Sequence, residues 1–225
     1  MTECFTPIRG RKVRVTELDE CGNVDLDGQF VVSEGFITVT LSFENESGDE
    51  YIQKNAAGKL CVNERNPDAL KRLNAEVDWC QVDPDMVSLI TGFPVELSEL
   101  DAVGFRIKEG EYETRWGLEV WTDLAGNVCD EAGNRCYGYL LIPLITGAAI
   151  SGDITVENSN LTFQTMGYTE GNSGWGVGPW DVIGTPAGPL DEAMAADEHA
   201  LIRTTCVAPP AAVCGAQEIP GSASV

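Results

Sequence analysis

Asn23, Asp25 and Asp27 stand at alternate positions in NVDLDGQFVVSE (23–34), Gly28 follows, and Glu34 closes a twelve-residue window. The spacing is close to that of an EF-hand, in which alternate oxygen ligands, a glycine turn and a terminal bidentate glutamate wrap one calcium ion. An EF-hand loop also needs a helix on each side. Here RKVRVTEL (11–18) and GFITVTLSFE (35–44) flank the window, and both alternate as strands. Asn, Asp and Gly form turns in their own right, and Asn at the first position removes a charge the ion would want. The window is expected to be a hairpin-like connection that holds no metal.

Nucleophilic catalysis of the Ser-His-Asp or Cys-His type needs a base, and the chain has one histidine, His199, in DEHALIRTT. It stands beside Asp197 and Glu198 at the start of an expected strand. There is no GxSxG elbow, HExxH helix, GxGxxG turn or Walker loop. The glycines of GWGVGPW lie among Trp175 and Trp180 rather than between a strand and a helix, so they predict a loop packing two indoles and not a phosphate cradle. Two carboxylates could serve a glycosidase, but among 36 acids any pair arises by chance. No catalytic, cofactor-binding or metal-ligating residue is assigned, and the chain reads as a non-enzyme.

The eight cysteines (4, 21, 61, 80, 129, 136, 206 and 214) lack the CxxC pairs of a zinc site. The N-terminal MTECFTPIRGRKVRV has bases but no apolar run behind them, so it does not read as a signal peptide. Reduced thiols acting as small buried hydrophobes are therefore expected, with disulfides formed after release from the cell as the other option.

Acids outnumber bases 36 to 14, a formal net charge of −22. That excludes a basic groove gripping nucleic acid, whose affinity comes largely from Lys and Arg. The longest apolar run, YLLIPLITGAAI (139–150), contains Pro143 and Gly147 and falls short of the roughly 18 residues a membrane helix needs. A soluble protein made in a cytoplasm is expected.

The elements that would position any site have a two-residue beat. Ile37, Val39, Leu41 and Phe43 alternate with polar residues, as do Leu73, Ala75, Val77 and Trp79 in LNAEVDWC. Trp116, Leu118 and Val120 alternate with Arg115 and Glu119, and DITVENSNLTFQTM (153–166) reads as a hairpin. PDALKR (67–72) and DPDMVSLITG (83–92) are the helix candidates, the second with Asp83 as N-cap, Pro84 in the first turn and Gly92 as stop. Residues 207–225 read as an extended, poorly ordered tail. The fold class is mainly β: an antiparallel sandwich or barrel-like domain with one or two short helices.

RGRKVRVTELDECGNV, GFITVTLSFE, YIQKNAAGKLCVNE and LKRLNAEVDWCQVDPDMVSLITGFPV occur in that order, followed by GYLLIPLITGAAISGDITVENSNLTFQTMGYTEGNSGWGVGPWDVI. This series resembles the major tail proteins, the tail tube subunits, of long-tailed (siphovirus) phages infecting actinobacteria. The likeness covers about residues 9–183 and lies in the order of many weak motifs. It implies a tail tube domain at 1–183, while residues 184–225, to which the likeness does not extend, read from their own composition as a Gly/Pro/Ala-rich extension with one strand near 199–206. It further implies hexameric rings stacked into a hollow tube in the virion, assembled in the host bacterial cytoplasm. The expected partners are other copies of the chain, the tape measure and tail terminator proteins, and DNA that passes through the lumen without specific binding. No membrane, catalytic residue or cofactor is implied. Hairpins at 153–166 or in the 36–62 region would line the bore. An acidic wall suits such a conduit, since it repels phosphate over ~10 Å at 0.1 M salt. Two other readings are a minor tail or head decoration protein, and a carbohydrate-binding β-sandwich using Trp175, Trp180 and nearby acids.

Overall fold

The computed structural model describes residues 4–219 except 26, 100, 127, 157–160, 172–179 and 185. Among these, the strands are β1 (Pro7–Glu17), β2 (Gln29–Ser33), β3 (Phe36–Glu46), β4 (Glu50–Lys54), β5 (Leu60–Arg65) and β6 (Ala69–Trp79). After the single helix, α1 (Pro84–Thr91), come β7 (Val95–Ser98), β8 (Asp101–Phe105), β9 (Arg115–Leu124), β10 (Tyr137–Val156), β11 (Leu161–Thr169), β12 (Leu201–Thr205) and β13 (Val213–Glu218). The fold is mainly antiparallel β, as the alternation predicts. One sheet runs β13-β2-β1-β9-β10-β11-β6-β3, with β12 also pairing β10. β4–β5 and β7–β8 form separate two-stranded sheets. No helix among the described residues is long and apolar enough to cross a membrane.

Residue parity sorts the sheet into two apolar faces. Val13 and Val15 of β1, Trp116, Leu118 and Val120 of β9, and Ala75, Val77 and Trp79 of β6 turn to one face. There they meet Met86, Val87 and Ile90 of α1. The helix forms as expected: the Asp83 side chain accepts from the Asp85 and Met86 amides, Pro84 opens the first turn, and Gly92 closes it at φ 73°. Trp121, Tyr139, Leu141 and Leu144 take the opposite face, where Trp180, Val182 and Met194 cover them. The central strands are thus sandwiched, and β9 is buried along nearly its whole length.

The apolar run at 139–150 lies inside β10, a strand of 20 residues. Pro143 falls at the register shift between Ile142 and Ile145 against β9, where a missing N–H breaks no regular ladder. Gly147, at φ 60°, falls at the shift between Thr146 and Ala149 against β11.

Several expectations are corrected. PDALKR is not a helix, because Ala69 and Leu70 already pair with Glu46 and Asn45 of β3. Residues 29–33, inside the calcium-like window, are strand β2 rather than part of a connection. Ile37 and Phe43 do not face the core. Ile37 lies at the shift between Phe36 and Thr38, and both side chains are exposed. The tail is ordered through Ile219, with β13 pairing β2 and Ile219 itself buried. Residues after 184 therefore contribute two strands, β12 and β13, to the main sheet.

Candidate assembly surface

The calcium-like window is held by local turn contacts, several of them to Asp19 just before it. Asp19 Oδ1 accepts from the amides of Cys21 (2.8 Å) and Asn23 (2.7 Å), and Asp25 Oδ1 from that of Asp27 (3.0 Å). Glu34 pairs with Lys12 at 3.2 Å. These are side-chain-to-backbone turn contacts rather than oxygens converging on an ion. No group of three or more His, Cys, Asp or Glu among the described residues could hold a metal. His199 Nδ1 lies 2.9 Å from Thr169 Oγ1, a hydroxyl that also accepts from the Leu73 amide. The histidine thus ties the 195–199 segment to the β11–β6 seam. Trp180 is 1% exposed in the second core and presents no face on which a sugar could stack. Trp175 lies outside the described residues.

A buried ionic cluster went unseen in the sequence. Glu119, predicted on a solvent face, is fully buried. Arg14 stands directly opposite it on β1. The Arg14 guanidinium donates through Nε to Glu119 Oε2 and through Nη2 to Oε1 at 2.9 Å, while the Tyr139 hydroxyl donates to Oε1 at 2.6 Å. The guanidinium also lies near the rings of Phe30 and Trp121, at 5.7 and 5.8 Å from their centroids. Burial pushes the Glu119 carboxyl up, against the pull of Arg14 and Tyr139. It pushes the Tyr139 hydroxyl well up too, and the neighbouring carboxylate adds to that. The available signal was Trp121: with Trp116, Leu118 and Val120 it makes β9 apolar on both parities, the mark of a strand covered on two sides.

The cysteine expectation is also corrected. Cys136 and Cys206 form a disulfide joining the start of β10 to the end of β12. Cys4, Cys21, Cys61, Cys129 and Cys214 are exposed and Cys80 half-buried, so none is a core hydrophobe.

What stands out on the surface is sheet that is unpartnered among the described residues. β3, eleven residues long, is an edge of the main sheet, and its last residues and the start of β6 run beyond the core as an exposed pair. Exposed strand edges of this length are templates for pairing with another chain. The β4–β5 hairpin continues outward from there, and every residue in both its strands is exposed. Its turn is well specified: Asn55 Oδ1 accepts from the amides of Ala57 (3.0 Å) and Lys59 (2.9 Å), and Gly58 takes φ 77°. Tyr51, Ile52 and Leu60 are each more than half exposed. The β7–β8 hairpin and the residues just after it expose Leu97, Val103 and Ile107 in the same way. A well-formed hairpin that exposes apolar side chains marks an interaction surface.

No family model matches the sequence, and no curated protein matches it.

Proposed function

We propose that this chain is the subunit of a phage tail tube, self-assembling as stacked hexameric rings around an acidic channel that conducts DNA. The observation that carries this reading is the fully exposed, apolar β4–β5 hairpin beside the open edge of β3. An isolated subunit leaves this surface in water, whereas a ring or stack of identical subunits covers it by closed symmetry. The resemblance in residue order over 9–183 supplies the identity of the assembly. The commitment of Asp25, Glu34, His199 and Trp180 to structural contacts favours a building block over a catalyst or a sugar-binding module.

Assembly has to overcome repulsion between subunits of net charge −22. Moderate salt or divalent cations, which screen the acids, are expected to promote it. Negative-stain electron microscopy of the purified protein at low and moderate salt tests the reading. Rings or hollow tubes with a central channel, more abundant at moderate salt, are the expected result. Dispersed monomers under every condition would overturn it.

A further inference from the structure

The exposed β4–β5 hairpin and the β7–β8 hairpin, which rests on α1, differ in charge. In a chain where 36 of 225 residues are acidic, the β4–β5 hairpin carries Lys54, Lys59 and Arg65 against Glu50 and Glu64 at its base, and from 51 to 63, around its turn, it has the two lysines and no acid. Residues 95–105 contain Glu96, Glu99 and Asp101 and no Lys or Arg. Most other basic side chains near the core are neutralised at home: Arg11 and Arg135 on Asp123, Lys12 on Glu34, Arg14 on Glu119, and Arg72 on Glu44. Among the described residues, Lys54 and Lys59 make no such pair, and neither do Glu99 and Asp101. Glu96 is engaged by Arg106.

Each hairpin also sets apolar groups beside its charges. The β4–β5 register puts Lys54 opposite Leu60, two residues from Ile52. Ser98 stands opposite Asp101 in β7–β8, with Leu97 and Val103 exposed next to them. Each hairpin forms its own two-stranded sheet; β7–β8 rests on α1 through one face and leaves Leu97 and Val103 exposed.

We propose that the β4–β5 hairpin of one subunit docks on the β7–β8 hairpin of a second copy, Lys54 and Lys59 facing Glu99 and Asp101 around a contact between their exposed apolar side chains. Two different surfaces of one chain that fit each other make a head-to-tail contact, which propagates into a ring or a stack instead of closing as a dimer. The charges fix register and partner choice, while the apolar residues bury area. This inference rests on the self-assembly reading above and names the contact that reading leaves open.

Charge reversal tests it. The variants are K54E/K59E, E99K/D101K and the fourfold combination, each checked for unchanged thermal melting and followed by sedimentation velocity and electron microscopy at one fixed salt concentration. If the hairpins meet, each double variant raises the concentration needed for assembly about tenfold or more, since like charges then face each other. The combination, which restores opposite signs, returns it to near that of the natural protein. E99K/D101K is the sharpest arm. It moves the net charge toward zero, so relief of general repulsion alone would make it assemble better, whereas the proposal requires it to assemble worse. Natural protein that assembles while a double variant assembles equally well, or while the combination fails to recover, overturns the hairpin pairing alone. Natural protein that never assembles overturns the tube reading and the pairing with it.

Discussion

Replacing Arg14 by Met is the most informative single change to the folded chain. Met retains much of the length and apolar bulk of Arg but leaves the fully buried Glu119 with Tyr139 as its only remaining donor of the cluster. Removing one partner of a buried ion pair costs about 3–5 kcal/mol, because the other charge stays in a dry site without compensation. At about 2–4 °C per kcal/mol for a chain of this size, the thermal midpoint is expected to fall by roughly 6–20 °C. The sign of the pH dependence follows from the carboxyl. Its pKa in the fold is raised by burial, so its contribution to stability is present at low pH and is lost as pH rises through that folded value. Without Arg14 to oppose it, the shift grows, and R14M should lose more stability at pH 8 than at pH 5. The triple variant R14M/E119L/Y139F removes every polar member of the cluster and leaves no orphaned hydroxyl. It should recover most of the loss, as replacement of buried ion pairs by apolar residues often does. Urea titrations at the two pH values measure all of this. R14M within about 1 kcal/mol of the natural protein at both would refute the view of Arg14 as the counter-charge of a buried carboxylate.

Two further outcomes are expected. Reducing the Cys136–Cys206 disulfide, or replacing both cysteines by Ser, reopens a link across 70 residues and should cost about 4 kcal/mol by loop-closure entropy. Limited proteolysis should then cut first within 181–199, the segment that ends at the released strand β12. Asp83→Ala removes both the cap of α1 and the acceptor that holds the Gly215 amide at 2.8 Å. It should cost about 2 kcal/mol, a cap and a hydrogen bond together, and speed exchange of the Gly215 amide in particular.

The parts of this fold that were legible in the sequence are those whose partners are near in the chain or whose pattern is complete within one strand. Leu73, Ala75, Val77 and Trp79 alternate and are buried as the alternation says. Asp83, Pro84 and Gly92 delimit α1 because capping is decided within a few residues. The failures all depend on residues far away. Glu119 belongs to an inner face only because Trp180, Val182 and Met194, far later in the chain, cover that side of the sheet. VAPPAAVCGAQEI has no alternation to betray a strand, and β13 is held instead by β2 and by Asp83 and Asp85, which accept from the Gly215 and Ala216 amides. PDALKR has a local preference for helix that pairing with β3 overrides. The assembly surface was only half legible. Alternation in 35–44 placed Ile37 and Phe43 inside, and it took the register shift and the limit of the core to bring them out.

The length of β10 has a mechanical consequence. Twenty residues at about 3.3 Å each give the strand a contour on the order of 60 Å, bent where the register shifts fall. One end begins beside the disulfide at Cys136, its flanks are laced to β9, β12 and β11, and its far end runs out with β11 past the last contact with β9. A pull along that far end loads the ladder in shear, so many backbone hydrogen bonds share the force and none peels first. A pull across it unzips them one at a time. The subunit is therefore stiff along β10 and yielding at right angles to it, and any assembly it builds inherits that grain.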